Sequence, residues 1–184
     1  MRSWPTGALQ FLNKKSSRRV LTDAEEGQLH WEIANAYFIL EKDSEAINEA
    51  SKSLIISNGK NDTAWLTAGL ANWRRGDLKR ARLFFTNLAY LENSRGSIRA
   101  AGAYWASRVE FILGNPSNAI EFLKISSKYS NTFYGKLAIK SLGYNHKINF
   151  ELPNISEQFI SCLSLQKGGL RAFALLQVDE YRNS

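Results

Sequence analysis

The side chains able to do chemistry are few and scattered. The chain holds two histidines, His30 and His146, and one cysteine, Cys162. A zinc site needs three or four His, Cys or carboxylate groups converging from short, characteristic spacings. Two histidines 116 positions apart and a lone cysteine further on offer no such spacing. His30, beside Trp31, is expected on a helix surface, and His146 in an exposed polar loop. No phosphate loop, no GxGxxG fingerprint and no nucleophile motif occurs. Gly168-Gly169 reads as a break between helices rather than a cradle for phosphate. No residue is therefore assigned a catalytic, cofactor-binding or metal-binding role, and no cofactor is expected.

The carboxylates are plentiful but fall mostly on polar helix faces. Glu32, Glu45, Glu49, Glu92 and Glu121 are most simply solvated. Glu110 follows Arg108 on an aromatic helix, where a buried acid would matter and a surface or ion-paired one is the simpler expectation. The aromatic pairs around Trp73-Arg74-Arg75 and Tyr104-Trp105 have ring faces that can stack on sugars or bases, although aromatics at helical spacing usually belong to a core.

Composition narrows the classes. At 184 residues and 44% hydrophobic content, the chain is long and apolar enough for one globular domain with a real core. One cysteine excludes an internal disulfide. The net charge is +7, with an isoelectric point near 9.6. Such a balance suits nucleic acid, an anionic membrane surface or an anionic wall polymer. The positive charges are dispersed, however. The densest runs, Lys14-Lys15 with Arg18-Arg19 and Arg74-Arg75 with Lys79-Arg80 and Arg82, read as solvated faces, and no aromatic–basic nucleic-acid module accompanies them. No nucleic-acid partner is expected. No apolar run approaches the roughly 18 residues of a membrane span. The N-terminal stretch also lacks the apolar core, roughly 7–15 residues long, of a signal peptide.

The elements that must position these residues are helices. Apolar residues recur at helical period over 24–41 (Leu29, Ile33, Ala36, Tyr37, Leu40), 44–56 (Ala46, Ile47, Ala50, Leu54, Ile55) and 62–75 (Trp65, Leu66, Gly69, Leu70, Trp73). The pattern continues over 78–92 (Ala81, Phe84, Phe85, Leu88, Leu91), 98–113 (Ala101, Tyr104, Trp105, Val109, Ile112) and 116–129 (Ala119, Ile120, Leu123, Ile125). Thr22 or Asp23 can cap the first helix, Gly59 can end the second, and Pro116 suits the first turn of the sixth. Weaker helices are expected over 156–165, with Phe159, Ile160 and Leu163 inward, and over 170–181, with Leu170 and Phe173 inward.

The helices repeat in pairs. Ala46, Ala81 and Ala119 take the same place in successive second helices, at intervals of 35 and 38 residues, each four or five positions after a polar turn. Helix pairs of about 34 residues are the tetratricopeptide (TPR) period. One hairpin cannot bury its apolar face alone, so such pairs stack and share a core. The expected fold is all-α: a right-handed α-superhelix, or solenoid, of TPR-like helical hairpins. Residues 1–22 would form a weakly structured lead-in, 23–145 the helical repeats, and 146–184 a continuing helical segment.

One stretch is more specific than its periodicity. AYWASR (103–108), LGNPSNAIEFLKISS (113–127) and NTFYGKLAIKSLG (131–143) together resemble the superhelical region of soluble lytic murein transglycosylases. The residues carrying the resemblance are Tyr104, Trp105, Arg108, Gly114, Ala119, Thr132, Phe133, Tyr134, Gly135, Leu137, Ala138 and Gly143. Residues 64–85 fit the same region more loosely. The resemblance implies a helical scaffold for a lysozyme-like catalytic domain. That domain cleaves the bond between N-acetylmuramic acid and N-acetylglucosamine in peptidoglycan and leaves a 1,6-anhydro end. It implies a periplasmic location, peptidoglycan glycan strands as partner, and one glutamate acting as acid and then base without a cofactor. The family's catalytic Glu-Ser pair and Gly-Leu-Met-Gln type segment have no counterpart, because the sequence holds no Glu-Ser dipeptide and its only methionine is Met1. The expectation is a central, truncated piece of such an enzyme, inactive alone, its signature residues structural. The competing expectation is a TPR-like adaptor gripping a protein partner with Asn35, Asn72 and Arg108 on its inner helices.

Overall fold

The computed structural model describes residues 21–144 and 156–177. Among them every regular element is a helix, so the fold class is all-α. The chain divides near residue 146 into two units. The first contains α1 (Asp23–Ile39), α2 (Asp43–Ile56), α3 (Asp62–Arg74), α4 (Leu78–Tyr90), α5 (Gly96–Ile112), α6 (Pro116–Ser127) and α7 (Phe133–Ser141). The second contains α8 (Glu157–Ser164) and α9 (Lys167–Gln177). Residues 1–20 of the expected lead-in and the expected loop around His146 lie outside the described residues.

Local chemistry sets the helix ends. At α1, Thr22 Oγ1 accepts from the Glu25 amide at 3.3 Å while Glu25 Oε2 accepts from the Thr22 amide at 2.8 Å, a reciprocal capping box. Asn61, Asp77, Thr132 and Ser156 cap α3, α4, α7 and α8 with their side-chain oxygens. The ends of α1, α3, α5 and α7 share one stop. A residue at positive φ (Glu41, Gly76, Gly114, Gly143) is followed by an amide that donates back to Tyr37, Asn72, Glu110 or Ile139 at 2.9–3.1 Å. From 41 to 76 to 114 to 143, these stops are 35, 38 and 29 residues apart. The first two intervals match the spacing of Ala46, Ala81 and Ala119, all three of which are fully buried.

In the first unit each helix packs on the next, and α1 on α3, α3 on α5, α4 on α6 and α5 on α7. Small residues make that approach possible. The core is rich in alanine (Ala34, Ala50, Ala68, Ala103 and Ala106 among others), filled by Ile33, Phe85, Leu88 and Val109. Gly102 lies under Leu88, whose Cγ would stand 2.7 Å from a Cβ added there. Matching hydrogen bonds tie two of the pairs: Ser53 Oγ donates to the Gly27 carbonyl at 2.6 Å, and Ser126 Oγ to the Ala100 carbonyl at 2.9 Å.

Several expected inward positions point outward. Leu40, Ile55, Ile112 and Ile120 are exposed. An alanine-lined seam is narrow. Leu54 and Ala119 fill it, so Ile55 and Ile120, one residue and about 100° further round, fall outside. Leu40 is the α1 cap residue and already belongs to the turn. In the second unit Leu163 and Phe173 are half-buried, while Phe159, Ile160 and Leu170 are exposed, because a two-helix pair has one seam to bury. Gly168-Gly169 does not break the chain: both glycines lie in the first turn of α9, and the break comes at Leu165-Gln166. A Cβ on Gly169 would collide with the Leu163 carbonyl oxygen, so glycine serves close packing there. No helix among the described residues is long and apolar enough to cross a membrane.

Candidate functional site

Helices α5 and α7 bring most of the signature residues together. Trp105 lies at the centre, with the Trp73 ring edge-on at 5.3 Å, the Phe85 ring stacked at 5.9 Å and the Tyr104 ring edge-on at 6.4 Å. Its Nε1–H donates to the Tyr134 hydroxyl at 3.3 Å. Tyr134 continues the row, 5.5 Å from Tyr104 and 5.2 Å from Phe133. The sequence expectation of aromatics as core is met in part. Phe85 is fully buried, Trp73, Tyr104, Trp105 and Tyr134 are half-buried, and Phe133 is 70% exposed. Half-buried rings held at one edge by packing leave their other edge or face open to solvent.

The local sequence explains the arrangement. Tyr104, Arg108 and Phe111 recur at one helical face of α5, the arc left over when its alanines turn inward. Arg108 is exposed one turn from Tyr104. At α7, Thr132 Oγ1 accepts from the Gly135 amide at 3.1 Å and donates to the Tyr129 carbonyl at 2.8 Å, which starts the helix. A Cβ on Gly135 would overlap that same Tyr129 carbonyl, so glycine is what lets the Thr132–Gly135 turn close. Thr132 and Gly135 thus hold Phe133 and Tyr134 in place and do not themselves form the exposed face. Lys136 and Lys140, also exposed, follow Phe133 at helical spacing and add positive charge beside the rings.

The other sequence candidates fall elsewhere. Asn72 is buried and donates to the Ala68 carbonyl at 2.8 Å, so it cannot line a binding face. Asn35 is half-buried. Arg74 grips Asp43 with Nε and Nη2 and lies 4.1 Å above the Phe38 ring. Hydrogen bonding to Asp43 raises its pKa above the usual arginine value. Cys162 is exposed. Among the described residues no three His, Cys, Asp or Glu side chains converge as a metal site would require.

Two expectations about titratable groups are overturned. His30 is not on the surface, and Glu49 is not solvated: they are 7% and 3% exposed, and His30 Nδ1 lies 2.7 Å from Glu49 Oε2. Lys52 Nζ donates to the other oxygen, Oε1, at 2.6 Å. Burial raises the Glu49 pKa, but the hydrogen bonds from His30 and Lys52 outweigh it, so the carboxyl lies below its ordinary value. The signal that would have found this pair is the repeat. Partners 19 residues apart recur as Trp65 against Phe84, with ring centroids 5.7 Å apart, and as Ala103 and Phe122 within one buried cluster. The first pair of helices carries a hydrogen-bonded polar contact where its neighbours carry apolar residues. Glu110 takes the ion-paired role expected of it, but buried rather than at the surface. It is buried beneath Arg82, whose Nη1 lies 3.8 Å from its Oε1.

Comparison of the sequence with protein-family models and with curated proteins returned no match. The resemblance therefore rests on the residues of α5, α6 and α7 themselves.

Proposed function

We propose that this chain is a superhelical scaffold segment of a peptidoglycan lytic transglycosylase, one that holds glycan strands beside a lysozyme-like catalytic domain and performs no cleavage itself. In this account the hairpins wind as a right-handed TPR-like superhelix and work in the periplasm. The observation carrying it is the row Trp105–Tyr104–Tyr134–Phe133, in which residues from two separate sequence motifs form one aromatic surface. Ring faces stack on the apolar C–H faces of sugars, which removes apolar area from water at about 25 cal/mol per Å². Arg108, Lys136 and Lys140 give the surface a charge that complements the carboxylates of the wall polymer, those of its stem peptides or, where the peptides are removed, those of the muramic lactyl groups. The packing of helices on their second neighbours, α1 on α3 and α3 on α5, is what stacked hairpins require.

A tryptophan-fluorescence titration with peptide-free peptidoglycan glycan strands tests this, because Trp105 lies in the row and Trp73 packs against it. A saturable change in emission, weakened by Phe133→Ala, is expected. An unchanged spectrum at millimolar saccharide would refute glycan binding.

A second account, a TPR-like adaptor for a protein partner, is favoured by Phe111 and Ile112, which are exposed beyond the aromatic row. It requires one stoichiometric protein partner and no response to glycan.

A further inference from the structure

A groove of about 610 Å³ lies between α4 and α6, over an arc of α5 that faces away from Tyr104 and Arg108. Arg82, Tyr90, Glu110, Glu121 and Phe122 line it. Glu110 is the unusual member, because its side chain is only 5% exposed. Its Oε2 accepts from Asn115 Nδ2 at 2.9 Å. Its Oε1 accepts no hydrogen bond among the described residues; the Arg82 guanidinium, at 3.8 Å, is near enough to attract but too far to donate. No fully buried side-chain oxygen among the described residues lacks a partner, so this oxygen opens onto the groove, where a donor from solution can reach it. Glu121 is already held by Lys124 at 2.8 Å, so Glu110 is the carboxylate that the groove offers. Beside it stand the Tyr90 and Phe122 rings, 6.1 Å apart and tilted at 56°, with Tyr90 largely exposed.

We propose that this groove binds an alkylammonium group, the head of a lysine-like side chain or of a small diamine, with Glu110 Oε1 as acceptor and the Tyr90 and Phe122 rings as walls. The choice of ammonium over guanidinium follows from the geometry. A guanidinium matches a carboxylate with both oxygens free, and here Asn115 occupies one. An ammonium is a point charge satisfied by a single oxygen and by ring faces. Arg82 is then a tethered competitor, drawn to the same oxygen without bonding it. This inference is independent of glycan binding, which concerns a different face of α5.

The test is an NMR titration of the uniformly ¹⁵N-labelled full chain with three capped amino acids, Nα-acetyl-lysine, Nα-acetyl-arginine and Nα-acetyl-norleucine methylamides, and with cadaverine. Saturable shifts at Glu110, Asn115 and Tyr90 with the lysine derivative, weaker with arginine and absent with norleucine, are expected. Cadaverine shifting the same amides identifies any alkylammonium as sufficient, whereas response to the lysine derivative alone identifies a peptide-borne lysine. Glu110→Gln should weaken binding about tenfold or more, the worth of a charge-assisted hydrogen bond. Tyr90→Leu, at an exposed ring, should weaken it several-fold, and Arg82→Ala should strengthen it. Equal shifts from lysine and norleucine, no saturable shift from any probe, or weaker binding in Arg82→Ala would overturn the proposal.

Discussion

The buried His30–Glu49 contact gives a prediction that separates a pair kept for stability from one that is merely tolerated. Removing one partner by His30→Ala leaves Glu49, 3% exposed, with Lys52 as its remaining charged neighbour. Breaking a buried pair typically costs about 3–5 kcal/mol, and the surviving contact to half-exposed Lys52 puts this case near the lower end, about 3 kcal/mol. At a urea slope of about 2 kcal/mol per molar, the midpoint should fall by about 1.5 M. Replacing both partners with the pair found at the same place in the third helix pair, His30→Ala with Glu49→Phe, removes the polar contact and copies Ala103 and Phe122. That double variant should unfold within about 1 kcal/mol of wild type or above it, because apolar replacement of both members of a buried polar pair is commonly neutral or stabilising. Its pH dependence has a defined sign. A carboxyl with a depressed folded pKa contributes stability that is present above its ordinary value of 4.5 and is lost as pH falls through the lower folded value. Wild type should therefore lose this increment below pH 4.5, and the double variant should not. Urea melts from pH 3 to pH 7, read by circular dichroism, measure both effects. A double variant as unstable as His30→Ala, or one with the same acid limb as wild type, would refute the equivalence of the three partner positions.

Other outcomes follow from the packing. Gly135→Ala should destabilise by at least about 1–3 kcal/mol, because its Cβ meets the Tyr129 backbone carbonyl and not a movable side chain, whereas Gly168→Ala, with open space around it, should be neutral or stabilising by up to about 1 kcal/mol. Thermal melts of the two variants check this. Ser53→Ala and Ser126→Ala should each cost about 1 kcal/mol in urea unfolding, since each removes the same interhelix hydrogen bond from its own helix pair. Incubated with purified sacculi, the chain should release no 1,6-anhydromuropeptides detectable by mass spectrometry above a blank.

Much of the helical order was legible because local chemistry writes it. Thr22, Gly59 and Pro116 mark ends that hold to within a few residues, and Ala46, Ala81 and Ala119 mark the seam between paired helices. What was not legible depends on width and on distance along the chain. Helical period alone cannot tell how wide an alanine-lined seam is, so Leu40, Ile55, Ile112 and Ile120 were expected inside and lie outside. Gly168-Gly169 carries the composition of a break and the role of a close contact, and only the Leu163 carbonyl tells them apart. His30 and Glu49 sit on different helices, and neither residue's neighbours reveal the other. The aromatic row was half legible: Tyr104, Trp105, Phe133 and Tyr134 stood out by type, but their convergence depends on α7 folding back onto α5.

The central claim is that the face built by α5 and α7 holds peptidoglycan. Co-sedimentation with purified sacculi tests it most directly, comparing wild type with the Tyr104→Ala, Phe133→Ala double variant and with a Phe159→Ala control in the second unit. Wild type and control should pellet with sacculi in a saturable way, and the double variant should remain largely in the supernatant while keeping its circular dichroism spectrum. Wild type left in the supernatant, or a folded double variant that pellets as well as wild type, would contradict the account.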